Sequence, residues 1–185
     1  MSKQFNRAIT LVLGGVRSGK SRHAQQLARA FQSVSFIATA RPCDAEMRRK
    51  IAAHRRARPP EWHTLETPTE LAAAIHRASD DSEVIVIDCL TTYLGNQMMD
   101  SRHKCRALKN VMADLDAEGI CNALQSANSS VIVVSNEVGS GVVPAFPSGR
   151  LYRDLLGELN QRVAGIADQV IFMVAGQPLT IKGGS

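Results

Sequence analysis

The sequence predicts an α/β fold: a mostly parallel sheet covered by helices on both faces. Two observations point there. Short runs of Ile, Leu and Val recur along the chain, as in "AITLVL" (8–13), "EVIVID" (83–88) and "VIVV" (131–134). Their Ile, Leu and Val stand at consecutive rather than alternate positions, as expected for strands buried on both sides. These runs also alternate with segments of helical periodicity, and that alternation is the pattern of a parallel sheet wound with helices.

Taken in order, residues 8–13 form a buried strand and a Gly-rich turn follows. A helix is expected from about Ser21 to Phe31. "VSFIATA" (34–40) is the second strand, 44–57 a helix and "WHTLE" (62–66) a short strand. In "TPTE", Thr67 is expected to cap a helix with Pro68 at its first position and Glu70 at its third, the helix running through "LAAAIHRA". Strand 83–88 leads into helical stretches reaching about Ala127, then strand 131–134 and a helix over 149–167. "QVIFMV" (169–174) and "LTIK" (179–182) close the sheet. With 185 residues, no internal repeat and no Gly/Ser linker, a single domain spanning 1–185 is expected.

Composition narrows the function. The chain is 44% hydrophobic and 21% charged, ordinary for a soluble protein. No apolar run reaches the ~20 residues of a membrane helix. The N-terminus shows no apolar signal region ahead of a cleavage site, which argues against export. Cys43, Cys89, Cys105 and Cys121 include no C-x-x-C pair, so neither a zinc site nor a redox motif is indicated, and a reducing cytoplasmic setting is expected. The net charge of +5 favours anionic partners. Nucleic acid is not expected, because aromatics are only 4% of the chain and none interleave the densest basic stretch.

"GGVRSGKS" (14–21) supplies the anion site. Gly14, Gly19, Lys20 and Ser21 match G-x-x-x-x-G-K-[ST], with Gly15, Val16, Arg17 and Ser18 between them. A strand precedes and a helix follows, the context the motif requires. Such a turn aims consecutive backbone N–H groups at phosphate oxygens, and the helix adds its positive end. Lys20 is expected to reach the β- and γ-phosphates and Ser21 to ligate Mg²⁺. Asp88 ends a strand, where ligands bind in open parallel sheets, and is the candidate second Mg²⁺ ligand; capping the following turn is the plainer alternative. Thr91 and Thr92 are read as helix-start residues. The fold class thus becomes P-loop NTPase-type, with GTP, ATP or both as co-substrates.

"KIAAHRRARPPEW" (50–62) raises a further question, because His54 lies among Arg48, Arg49, Lys50, Arg55, Arg56 and Arg58. On a helix Met47, Ile51, His54 and Arg58 share one face. From the residues alone, a packed histidine at the edge of the core is the stronger reading.

The chain resembles the bifunctional adenosylcobinamide kinase/adenosylcobinamide-phosphate guanylyltransferase family of cobalamin biosynthesis. The resemblance rests on "LGGVRSGKSRHAQ", "FIATA", "DAEMRRKIAAHRRARPPEWHTLE", "VIDCLTTYLGN", "VVSNEVGSGVVP" and "LYRDLLGELNQRVAGIADQVIFMVAGQP". It covers nearly the whole chain, where a generic P-loop kinase would share only the first block. It implies that His54, in the pattern I-x-x-H-x-x-x-R-P-x-x-W, carries a covalent guanylyl group. Imidazole near pH 7 has a neutral nitrogen able to attack the α-phosphorus of GTP, splitting one displacement into two. Arg55 and Arg58 would steady the triphosphate, with Arg48 and Arg49 on a solvated face. The resemblance further implies GTP contacts at Ala38, Thr39, Ala40 and Glu66. His23, His63, His76 and His103 are read as structural or surface residues.

Adenosylcobinamide and its phosphate would be the substrates, and a homo-oligomer such as a trimer is implied. Asn136 and Glu137, on a Gly-rich loop, are candidates to meet the corrinoid side chain or the metal, against an ordinary αβ loop with a turn. Arg150, Arg153 and Asp154 fit a solvated amphipathic helix as well as a substrate or subunit contact. Two rival readings remain: a one-step P-loop kinase with a structural His54, and a non-catalytic NTP-binding switch.

Overall fold

Residues of alternating parity on each central strand face opposite sides of the sheet, and both sides are apolar. The computed structural model describes residues 7–99 and 116–184. In chain order they form β1 (Ile9–Gly14), α1 (Lys20–Ala28), β2 (Val34–Ala38), α2 (Ala45–Ala57), β3 (His63–Glu66), α3 (Leu71–Ser79) and β4 (Val84–Asp88). Then come α4 (Leu90–Met99), α5 (Ala117–Ser126), β5 (Ser130–Val134), α6 (Pro147–Ile166), β6 (Gln169–Val174) and β7 (Gln177–Lys182). The sheet order is β3-β2-β4-β5-β1-β6-β7. The first six strands in that order pair parallel, so their C-terminal ends share one edge; β7 pairs antiparallel with β6.

One apolar core gathers Leu11, Ile37, Ile85, Ile87, Val131 and Val133 under α3, α4, α5 and α6. The opposite face gathers Val12, Phe36, Val86, Ile132 and Val134 under α1 and Trp62. Continuous Val/Ile strands follow from this double burial. Ile85 is fully buried in β4. Ile85→Ala is expected to cost about 2–5 kcal/mol, from lost transfer energy and a residual cavity. A chemical-denaturation midpoint reads this, and a loss below about 1 kcal/mol would mean that the strand is not clamped between two cores.

Several expectations require correction. Thr67 does not cap a helix and Pro68 does not begin one, since α3 starts at Leu71 after Glu70. The 67–70 backbone is committed elsewhere. Thr67 N–H donates to Ala38 O at 2.9 Å. The carbonyls of Pro68 and Thr69 accept from the Asn96 and Gln97 side chains of α4, each at 3.0 Å. The helix α1 ends at Ala28 rather than Phe31, and α6 begins at Pro147 rather than Gly149. The final strand is longer than "LTIK" and turns back through Ala175 and Gly176, at φ 51° and 82°.

The helix α2 departs most from expectation. It buries none of its residues, so His54 is not a packed histidine at a core edge. The helical stretch expected through 100–115, with His103 and Cys105, lies outside the described residues. Among the described residues no helix is long and apolar enough to cross a membrane.

Candidate active site

The loop after β1 is shaped by backbone that side chains rarely adopt. Gly14 has φ 149°, and a Cβ there would lie 2.5 Å from the Met173 carbonyl oxygen. Gly19, at φ 97°, caps α1 without a side chain, leaving the first-turn N–H groups for an anion. A Cβ on Gly19 would meet Gly176 at 3.4 Å, because the β6–β7 turn packs on the loop. Gly176 N–H donates to Ser18 O at 3.0 Å. Between these glycines Gly15 has open space around it, Val16 is exposed and Arg17 adopts a left-handed φ of 58°.

The chemistry-bearing side chains converge on the end of β4. Lys20 is buried, and its Nζ donates to Gly15 O at 2.6 Å. Burial lowers its pKa from the ordinary lysine value, opposed by Cys89 and Asp88. Ser21 Oγ donates to Asp88 Oδ1 at 3.1 Å. The other carboxylate oxygen of Asp88 lies 3.8 Å from His54 Nδ1, with the Asp88 side chain 11% exposed and that of His54 48% exposed. Burial pushes the Asp88 carboxyl above the usual range, while His54, Ser21, Arg58 and Lys20 pull it down. Ser21, His54, Arg58 and Lys20 thus surround this carboxylate.

Arg58 is aimed by stacking. Its guanidinium lies 3.7 Å from the Phe36 ring centroid, and Phe36 stacks on Trp62 at 6.3 Å. The motif's Arg, Pro and Trp are thus one device: the chain leaves α2 extended at Arg58 and returns to bury Trp62 under the strand residue that supports the cation. Burial pulls the Arg58 pKa down and Asp88 opposes it. A guanidinium nevertheless stays cationic.

His54 borders three clefts. The first, about 580 Å³, is the phosphate loop with Lys20, Ser21, Asp88 and Asn136. The second, about 230 Å³, is bounded by Ala38, Ala40, Met47, Ile51, Arg58 and Glu66. The third, about 640 Å³, opens between α1 and α2 beside Arg22 and Arg29. Met47, Ile51, His54 and Arg58 therefore do share a face, as their spacing predicts, but that face lines a cavity.

Two expected contacts sit differently. Arg55 pairs with Glu66 on the exposed side. Thr39 is fully buried behind the cavity. Its hydroxyl donates to Cys89 O at 2.8 Å, and its carbonyl accepts from Asn96 at 2.7 Å. Sequence reasoning missed Asn96, whose two donations fix the ends of β2 and β3. Thr91 and Thr92 do lie in the first turn of α4, as expected. Thr92 lines the second cleft and donates to Cys89 O at 3.1 Å. Thr91 Oγ1 accepts from Asn136 N–H at 2.9 Å. No local pattern distinguishes such hydroxyls from ordinary first-turn residues.

The family model described as cobinamide kinase / cobinamide phosphate guanyltransferase matches residues 10–181. The bifunctional adenosylcobalamin biosynthesis protein CobP of Pseudomonas aeruginosa is 41% identical over 174 residues, covering 94% of this chain and 96% of the relative. The bifunctional adenosylcobalamin biosynthesis protein CobU of Escherichia coli is 35% identical over 179 residues, covering 93% and 98%. That of Salmonella typhimurium is 35% identical over 178 residues, with the same coverage.

Proposed function

The chain belongs to the cobinamide kinase / cobinamide phosphate guanyltransferase family, and on that premise we propose that it phosphorylates the terminal hydroxyl of adenosylcobinamide and then transfers GMP from GTP to the new phosphate through a guanylyl group on His54. The observation that carries this reading is the position of His54. It borders both the phosphate loop and the cavity ending at Glu66, with the Asp88 carboxylate beside its Nδ1.

A proton held on Nδ1 toward Asp88 leaves the Nε2 lone pair for the α-phosphorus of GTP. The P–N bond forms as the bond to the β-phosphate bridging oxygen breaks, and the electron pair leaves with pyrophosphate. Arg58 and Lys20 offset the negative charge that develops. In the kinase step Lys20 neutralises the β- and γ-phosphates while the loop amides hold them. Glu66, Ala38 and Ala40 bound the space for the guanosine.

Ser21 and Asp88 present hard oxygens 3.1 Å apart, a donor set that suits Mg²⁺ sharing its shell with water and phosphate oxygens. Such an ion would supply charge neutralisation at the bridging oxygens. Asp88→Asn keeps the shape and removes the charge. Since losing an outer-shell partner of a metal site costs about 10–100-fold, losing a direct ligand is expected to cost at least about 100-fold in turnover. The apparent Mg²⁺ affinity should weaken while the melting temperature holds. Unchanged Mg²⁺ dependence would return Asp88 to the role of a turn cap.

Assay of both half-reactions on adenosylcobinamide tests the whole reading. Formation of the phosphate and then of adenosylcobinamide-GDP is expected. The phosphate alone would favour a one-step kinase, and neither product would favour a nucleotide switch.

A further inference from the structure

We propose that the uncharged tip of the β5–α6 loop, together with Val16 of the phosphate loop, is the docking surface for the corrinoid macrocycle of the acceptor. The inference rests on the functional reading above and adds where the large half of the substrate lies.

Displacement at phosphorus is in line, so the attacking oxygen enters opposite the bond that breaks. In the second guanylyl step an oxygen of the acceptor phosphate forms a P–O bond as the P–N bond to His54 breaks. The electron pair of that bond returns to the imidazole. His54, Arg58 and Glu66 occupy the edge above β4, β2 and β3. The acceptor must therefore approach from the other flank, above β5 and β1.

That flank carries exposed apolar side chains. Val16 is 81% exposed, Val142 94%, Val143 58% and Phe146 76%. The run Val138–Gly149 contains no charged residue, in a chain that is 21% charged. Solvent-facing loops do not need such a composition, and clustered exposed apolar groups mark binding surfaces. A corrin ring, rimmed by methyl groups and neutral carboxamides, matches an apolar, uncharged surface.

The loop is also anchored for the purpose. Glu137 N–H donates to Gly14 O at 3.0 Å. The Asn136 N–H donates to Thr91 Oγ1 at 2.9 Å, and its carbonyl accepts from Asn160 Nδ2 at 3.0 Å. At the far end Arg150 Nη1 donates to the carbonyls of Pro144 and Ala145 at 3.0 and 2.7 Å. Val16 and Asn136 line the same cleft as Lys20 and Ser21, so the loop leaves β5 at the border of the phosphate site.

The test is the double variant Val142→Ser with Phe146→Ser, with Val142→Ser alone as a second variant should the pair fail to fold. The KM for adenosylcobinamide is expected to rise at least about 10-fold, from apolar area lost at the contact. The KM for the nucleotide should hold. Labelling of His54 by GTP without corrinoid is the internal control for the nucleotide side. An unchanged corrinoid KM overturns the proposal. So does dissociation on gel filtration with that KM unchanged, which would assign the surface to a second copy of the chain. Absence of labelling in the parent protein would instead overturn the functional reading beneath it.

Discussion

His54→Ala is expected to separate the two activities. The kinase step depends on the phosphate loop and Asp88, which the change leaves in place. The guanylyl step needs a nitrogen nucleophile, and alanine has none. No covalent GMP adduct should form, and transfer should fall on the order of 10,000-fold or more, with a residue persisting from positioning alone. Stability should barely change, because the side chain is half exposed on a helix that buries nothing. A shift of the melting temperature within about 2 °C corresponds to less than about 1 kcal/mol for a chain of this size. Measuring both half-reactions and the melting temperature on one preparation decides the matter. Parallel loss of both activities with a large drop in melting temperature would restore the structural reading of His54.

Lys20→Ala should sharply reduce phosphoryl transfer. Its ammonium is the cation of the phosphate loop itself, and removal of a single well-placed charge stabiliser costs roughly 100- to 1,000-fold in turnover. The fold should survive. In the protein Lys20 is a desolvated cation whose closest bonds are to Gly15 O and the Ser18 hydroxyl, at 2.6 and 3.4 Å. Burial already works against its charge. Its removal therefore relieves a desolvation cost while losing hydrogen bonds, and these offset. Kinase turnover near that of the parent would refute the assignment of the loop.

The sheet and the phosphate loop were legible because each residue there answers to one strong constraint. Parallel strands buried on both faces must be apolar on both, and "VIVI" (84–87) and "VIVV" (131–134) are. Gly14 and Gly19 stand where backbone conformation and close neighbours exclude a side chain. The role of α2 was not legible in the same way. An apolar stripe at Met47 and Ile51 records that these residues face something sheltered, but a core and a ligand cavity leave the same periodicity. The reading of Thr67 failed because capping chemistry is local, whereas the carbonyls of Pro68 and Thr69 are claimed by Asn96 and Gln97 some 28 positions away. The hairpin into β7 was missed although "VAGQ" offers the Gly such turns use at positive φ. Arg58 was chosen for its charge. Its support, the stack of Phe36 and Trp62, joins residues 22 and 26 positions apart with no local sign of contact.

The central claim is that His54 carries the guanylyl group. The parent protein, incubated with GTP labelled at the α-phosphate and in parallel at the γ-phosphate, then denatured and digested, tests it most directly. The account predicts α-label alone on the protein, acid-labile and base-stable as a phosphoramidate must be, on the peptide containing His54. Label from the γ-phosphate, or α-label on a peptide lacking His54, would contradict it.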